Sequence, residues 1–268
     1  MKKIILYILL ACSSLVHAYD WENYSLSGGT EIVSNYNWRG TNVGGLSLQP
    51  WVEFSIYGLS VEAWSSLGSG TYDDFYQFVP ELDLSLSYTF LDDHITIGFS
   101  HYYYFEGPFF GGNYYLDNIG SSQSEFELSV YGNDDCPLEV GFTTMFGGGD
   151  YYSANGEIIL QNSIKAKKLY STYIYVNYTF EINDIEIVPE IGFSPNPSMY
   201  TYYDYNTNKH LGFAMNNISC KVIYTFLETD LTIMYVTGDV FFNLFDVGYE
   251  KFEYGKNVGL NVGVGIEL

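Results

Sequence analysis

Strict alternation of apolar and polar residues is the feature that most restricts how this chain folds. In the closing segment NVGLNVGVGIEL, every second residue from Val258 to Leu268 is aliphatic, and the residues between them are Gly, Asn or Glu. Successive side chains of a β-strand point to opposite faces, so this segment predicts a strand with one oily and one polar face. Helical periodicity is nearly absent after residue 18, which predicts an all-β fold.

The same alternation recurs in twelve segments, which we interpret as twelve strands. Their approximate spans are 24–40, 46–57, 59–67, 78–90, 95–105, 124–131, 137–146, 169–180, 185–194, 212–226, 231–237 and 257–268. After the first connection, at 41–45, short connections alternate with long ones. This is typical of a transmembrane antiparallel up-and-down β-barrel of the bacterial outer membrane, whose periplasmic turns are short and whose outer loops are long.

Charged residues of the predicted strands fall on the polar face only. The expected acidic wall of the lumen consists of Glu31, Glu53, Glu62, Glu81, Asp83, Glu125, Glu127, Glu139, Glu186, Glu190 and Glu267, and the expected basic lumen residues are Arg39 and Lys221. A lipid-facing Arg or Lys at midplane costs a barrel about 2–4 kcal/mol, so this segregation favours an exterior in contact with lipid. A soluble β-sandwich also alternates and is the competing interpretation.

Aromatic residues collect near the short turns. The triplet Tyr-Thr-Phe occurs three times, each time directly before a short connection. Rings of this kind settle at the boundary between lipid and water, where one end of the side chain is apolar and the other is wet. The predicted periplasmic aromatic girdle consists of Tyr57, Tyr88, Phe90, Tyr131, Tyr178, Phe180, Tyr224 and Phe226.

The first residues, MKKIILYILLACSSLVHA, have the form of a signal peptide. Lys2 and Lys3 precede a short apolar core, and the small-residue site Val16-His17-Ala18 follows it. This predicts a cleaved segment 1–18 and one barrel domain, 19–268, exported by a Gram-negative bacterium. In an alternative interpretation, Leu9-Leu10-Ala11-Cys12 is a lipidation motif.

Charge and cysteine content limit the range of partners. The formal net charge of −22 argues against nucleic-acid binding, which requires clustered Lys and Arg. Cys136 and Cys220 have no neighbouring Cys or His at a zinc-binding spacing, so no metal and no cofactor is expected. The expected partners are outer-membrane lipids, the barrel-assembly machinery and small solutes, and a protein partner at the tyrosine-rich outer loops is left open.

Residues 34–66, SNYNWRGTNVGGLSLQPWVEFSIYGLSVEAWSS, resemble the start of the TorF-like family of outer-membrane porins. The resemblance is carried by Trp38-Arg39-Gly40, Gln49-Pro50, Gly58 and Trp64-Ser65, although the Gln-Pro order is the reverse of the family pattern. It covers about an eighth of the chain. It implies an outer-membrane barrel and names no substrate.

Lipid hydrolysis on such a barrel needs a Ser with a His base within hydrogen-bond reach. His94 lies in a predicted turn and His210 in an outer loop, whereas His101 faces lipid near the outer rim of the fifth strand. Ser100 points to the opposite face, and no Ser lies two residues from His101 on the same strand. We therefore expect no catalytic residues and no enzyme.

The predicted function is a narrow outer-membrane channel that transports small cationic or neutral solutes through an acidic lumen. A ring of carboxylates favours cations, and a narrow passage with low-dielectric walls strengthens their field. The alternatives are a non-conducting structural or docking barrel, closed by its large inward side chains, and an outer-membrane lipid hydrolase.

Overall fold

The strands close on one another into a barrel in this computed structural model, which describes residues 24–72, 75–104, 122–133, 135–148, 151–152, 167–196, 198, 203–204, 209–210, 214–242 and 258–268. The barrel strands are β1 (Tyr24–Val33), β2 (Ser47–Ile56), β3 (Leu59–Tyr72), β4 (Phe75–Phe90), β5 (Ile95–Tyr104), β6 (Ser122–Asn133), β7 (Cys136–Gly148), β8 (Thr172–Tyr178), β9 (Ile185–Ser194), β10 (Ala214–Thr229), β11 (Thr232–Phe242) and β12 (Val258–Glu267). Within these ranges, no helix is long and apolar enough to cross a membrane. The predicted signal peptide and the alternative lipidation site at Cys12 lie outside the described residues.

Each barrel strand pairs antiparallel with its neighbours in the chain, and β12 returns to pair with β1. Gly29 lies opposite Glu267 and Val33 opposite Gly263 in that closing ladder. A short segment, Phe180–Ile182, continues the line of β8 and pairs with β9. The ring of described strands is therefore closed, and the predicted twelve-stranded antiparallel barrel is confirmed.

The turn between β2 and β3 shows how local sequence sets the hairpins. Tyr57 and Gly58 have φ values of 51° and 79°, and Ile56 pairs directly with Leu59. Positive φ at both central residues is the type I′ arrangement, whose twist matches that of the flanking strands. Glycine adopts this conformation without strain, so a tight connection forms here.

Two predicted boundaries are wrong in ways that affect the lumen. The first strand was expected to run to residue 40, but β1 ends at Val33, and the short strands Tyr36–Trp38 and Thr41–Gly44 form a separate hairpin. A long connection was expected at 68–77, but β3 and β4 extend into it, and Tyr72 pairs with Phe75. The small residues at 68–70 interrupt the apolar alternation there without interrupting the ladder.

The outward face of the barrel is apolar and exposed. Leu84, Leu260 and Val262 are 45%, 60% and 55% exposed, and many other aliphatic and aromatic side chains share this face. Soluble monomers rarely expose apolar patches larger than a few hundred Å². A closed barrel with such an exterior has the chemistry of a wall in contact with lipid hydrocarbon.

Opposite facing of neighbouring residues can be tested on β4. Leu84→Arg places a charge on the outward face near the middle of the strand, so its folding into lipid bilayers should weaken by about 2–4 kcal/mol. Ser85→Arg points towards Glu62 in the lumen and should be tolerated much better. Equilibrium unfolding in bilayers by denaturant measures the difference. Equal effects would mean that the two residues do not face opposite sides of the wall.

Candidate channel lumen

A hairpin folded into the barrel divides the lumen. This inner hairpin (residues 34–46) follows β1, and its tip is the two-residue turn Arg39-Gly40, with φ values of 50° and 76°. Its base is held at the closing strand, because the backbone N–H of Asn35 donates to Asn261 Oδ1 at 3.1 Å. The Asn35 side-chain amide also donates to the Leu260 carbonyl at 2.8 Å.

The tip of the inner hairpin is bound on the far side of the barrel. Both terminal nitrogens of Arg39 donate to the Glu125 carboxylate on β6, each at 2.7 Å. Tyr102 donates to the same carboxylate at 2.6 Å. Since β6 lies six strands from β12 in either direction round the twelve-stranded ring, the inner hairpin spans the lumen from wall to opposite wall.

Aromatic rings enclose the Arg39 guanidinium. Its central carbon lies 4.5 Å from the Trp38 ring centre and 5.0 Å from the Tyr173 ring centre. The side chains of Arg39 and Glu125 are only 11% and 2% exposed. A bidentate ion pair removed from water in this way is stronger and more directional than a surface pair, so the tip is fixed in place.

The lumen beside β6–β9 is filled. Met145 and Tyr173 are 0% and 2% exposed and form a small core with Trp38, Tyr102 and Tyr175. Tyr173 donates to Glu190 at 3.0 Å, and Tyr175 donates to Glu139 at 2.7 Å. The carboxylates of this half are therefore held by hydrogen bonds to tyrosines.

Two glycines make room for these tyrosine rings. A Cβ at Gly192 would meet the ring of Tyr173, and a Cβ at Gly141 would meet the ring of Tyr175. Both glycines are ladder partners of Tyr175, Gly141 on β7 and Gly192 on β9. The rings lie over bare backbone, which packs this half of the lumen tightly.

The lumen beside β1–β5 is less tightly packed and is lined partly by small polar residues. The hydroxyls of Ser85 and Ser100 pair across the ladder between β4 and β5, with an Oγ–Oγ distance of 2.8 Å. A cavity of about 440 Å³ lies here, and a second of about 190 Å³ shares Glu62, Ser85 and Ser100 with it.

Carboxylates outnumber basic groups around the larger cavity. Its lining contains Glu31, Glu62, Asp83 and Asp239 against Lys221. Aromatic faces complete it, including Tyr36 and Trp64, whose ring centres are 5.4 Å apart. Within the described part of the chain, no group of three or more His, Cys, Asp or Glu side chains is placed to hold a metal ion.

The eleven predicted lumen carboxylates all fall on inward-facing strand positions, but the structure separates them into different surroundings. Those on the filled side are Glu125, Glu139 and Glu190, and those beside the two cavities are Glu31, Glu53, Glu62 and Asp83. Glu127 belongs to both, because it accepts from Tyr175 and also lines the smaller cavity. Glu81 is buried, whereas Glu186 and Glu267 lie at strand ends near the short turns. Arg39 belongs to the filled side and Lys221 to the open cavity, so the acidic wall is not one uniform field.

Sequence reasoning missed Asp239. It lies opposite Lys221 in the ladder between β10 and β11 and lines the larger cavity. The predicted strand ended at residue 237, yet Val236, Val240 and Phe242 continue the outward alternation. That continuation in the sequence is the signal that places Asp239 on the inward face.

Most of the predicted aromatic girdle faces outward near the short turns. Tyr88, Phe180, Tyr224 and Phe226 are 45–49% exposed, and the ring centres of Tyr88 and Phe90 lie 5.9 Å apart, while those of Tyr178 and Phe180 lie 4.6 Å apart. Tyr57, in its turn, is 70% exposed.

Tyr131 is the exception, and its prediction as a girdle residue is wrong. It lies opposite Glu139 and lines the smaller cavity with Glu127. It shares the inward face of β6 with Glu127 and Ser129, because residues two apart point the same way.

No protein-family model and no curated protein sequence matches the chain, so the resemblance to the TorF-like family stays a prediction. Solved structures of similar outline include the KdgM porin, with 12% identity over 90% of this chain and 97% of that one and a TM-score of 0.44. An outer membrane channel from Pseudomonas putida F1 has 10% identity over 94% and 97%, with a TM-score of 0.47. The Salmonella typhi outer membrane phospholipase dimer with bound calcium has 13% identity over 94% and 91%, with a TM-score of 0.38. All three TM-scores are below 0.5.

Breaking the ion pair at the tip of the inner hairpin should destabilise the filled half. Arg39→Met leaves the buried Glu125 carboxylate without its cation, which should cost about 3–5 kcal/mol. The double variant Arg39→Met/Glu125→Gln should recover most of that loss. Lys221→Met, at an exposed position, should cost less than about 1 kcal/mol.

Denaturant unfolding in detergent micelles, followed by tryptophan fluorescence, measures all four proteins. Trp38 lies beside Arg39 and reports on the inner hairpin directly. A double variant as unstable as Arg39→Met would contradict the view that the unpaired Glu125 charge causes the loss.

Proposed function

We propose that this chain is a bacterial outer-membrane channel for small cationic or neutral solutes, and that its inner hairpin sets the width of the passage. The support begins with the wall. Every backbone group in hydrocarbon must be hydrogen-bonded within the protein, and a closed barrel meets that requirement. The apolar exterior suits contact with lipid, and the polar interior suits contact with water.

The open half of the lumen supports passage of small solutes. Serines and carboxylates make up much of the lining of its two cavities, together with aromatic rings. The inner hairpin and the tyrosines occupy the other half, so the free cross-section is much narrower than the barrel itself. This restriction favours small solutes over large ones.

The charge of the cavity lining supports a preference for cations, and this is the observation that carries the proposal. Four carboxylates face one ammonium group there. Low-dielectric walls focus such a field along a narrow path. Neutral polar solutes also fit, because the serine hydroxyls both donate and accept hydrogen bonds.

Selectivity gives the first test. In planar bilayers with a salt gradient, the reversal potential should show preference for cations. The preference should fall as salt rises, because the screening length shrinks from about 10 Å at 0.1 M to about 3 Å at 1 M. Glu62→Gln/Asp83→Asn should reduce the preference. The control Glu139→Gln/Glu190→Gln removes the same charge beside the tyrosines and should have a smaller effect. Anion preference in the wild type would overturn the proposal.

The role of the inner hairpin gives the second test. Trp38→Ala/Arg39→Ala removes the side chains that close the filled half, so single-channel conductance should rise above that of the wild type. Conductance equal to the wild type would show that the inner hairpin does not limit the passage. A barrel that is folded but never conducts would instead favour the structural or docking barrel, with the inner hairpin acting as a permanent plug.

A further inference from the structure

A serine and a histidine meet on the outside of the wall, away from the lumen. His101 of β5 lies directly opposite Ser124 of β6 in the ladder. Its Nδ1 lies 2.6 Å from Ser124 Oγ. Both side chains share the outward face with Leu84 and Phe99 and are half-buried. The pair lies within about 10 Å of the strand ends that lead into the long connection 105–121.

Aromatic rings extend from this pair towards the middle of the barrel wall. Phe99 and Phe126 lie two residues further along each strand, with ring centres 5.4 Å apart. The Phe146 ring lies 6.2 Å from that of Phe99, and Phe99 and Phe146 are 48% and 47% exposed. An acyl chain lying against the wall would contact these rings while its ester stays near the strand ends.

The backbone beside Ser124 is shaped by a β-bulge and a glycine. The ladder between β6 and β7 shifts register next to Ser124, which lies opposite Gly147. A Cβ at Gly147 would lie 2.8 Å from Ser124 Oγ. Glycine therefore leaves free the space over the hydroxyl that an attacked carbonyl must enter. Bulges of this kind occur preferentially next to active sites, where they redirect a side chain.

A serine hydroxyl becomes a useful nucleophile when an imidazole within hydrogen-bond reach accepts its proton. The distance between Nδ1 and Oγ meets that condition without any rearrangement. In water the same contact would be one of many surface hydrogen bonds. Here it lies on a face that the barrel turns towards lipid, where ester substrates are at high local concentration.

We propose that His101 and Ser124 form a hydrolytic site for the acyl esters of membrane lipids. Ser124 Oγ attacks the ester carbonyl carbon while His101 Nδ1 takes the hydroxyl proton. The carbon–oxygen bond to the lipid alcohol then breaks, and the alcohol leaves with that proton. Water, deprotonated by His101, cleaves the acyl-serine, and the products are a fatty acid and a lysolipid. The activity is independent of conduction, because the site lies on the other side of the wall.

The surroundings of the His101 imidazole determine the expected rate of ester hydrolysis. His101 Nε2 has no hydrogen-bond partner among the described residues, and the Tyr103 ring packs edge-on against the imidazole at 4.3 Å. Packing rather than a carboxylate therefore orients the ring. Loss of the orienting acid slows a serine hydrolase by about 10⁴-fold, so turnover should be slow, and covalent trapping is the more sensitive assay.

The test uses the full chain folded in detergent micelles, with folding checked by its altered gel mobility without heating. A fluorophosphonate probe should form a covalent adduct at Ser124, located by mass spectrometry of peptides. His101→Gln keeps a hydrogen-bonding group beside Ser124 but supplies no base, so labelling should slow at least tenfold. Ser100→Ala, next to His101 but facing the lumen, should be labelled at the wild-type rate.

Release of fatty acid from phosphatidylethanolamine in mixed micelles gives the second measurement. It should be lost in Ser124→Ala and retained in Ser100→Ala. Absence of an adduct at Ser124 in the folded wild type would overturn the proposal, whether or not any variant folds. An adduct that forms equally in His101→Gln, or labelling without fatty-acid release, would overturn it as well.

Discussion

The closing ladder between β1 and β12 is the constraint on which the rest of the structure depends. Gly28 and Leu268 exchange both of their backbone hydrogen bonds, at 3.1 Å and 2.8 Å, and this ladder closes the ring of described strands. Once the sheet is closed, every strand residue faces either lipid or lumen, and its neighbours face the other side. One continuous alternation of apolar and polar residues therefore turns apolar side chains towards lipid and polar side chains towards the lumen. The acidic inner surface and the apolar outer surface are consequences of that geometry.

The Arg39–Glu125 pair converts a symmetric cylinder into an asymmetric one. It carries the inner hairpin across the ring and gathers the tyrosines, Met145 and their glycine partners on one side. The serine-lined side is left open. Burying an ion pair rarely adds much stability by itself, so its effect here is chiefly positional. It decides which half of the lumen is packed and which half contains the cavities.

The features that could be predicted from the sequence are those that depend on the pattern within a single strand. Fold class, strand number and the facing of residues such as Asp83 all follow from period-two alternation, which is local. The inner hairpin could not be predicted in the same way, because Tyr36 and Trp38 continue the apolar alternation of β1. The chain leaves the wall after Val33 through a contact between distant residues, Asn35 and Asn261. Asp239 was missed through one misplaced boundary. Ser124 was missed because its approach to His101 depends on the register between two strands, which alternation within either strand does not specify.

The anchoring of the inner hairpin also orders the events of assembly. Asn35 is fixed by Asn261, a residue 226 positions later in the chain, on the twelfth barrel strand. Contacts between distant segments form late, because the intervening chain must first be brought together. Before β12 is in place, the hairpin has its partner at the tip but not at the base, so its position is fixed at one end only. Fixing the base of the inner hairpin is therefore a late step that coincides with closure of the barrel.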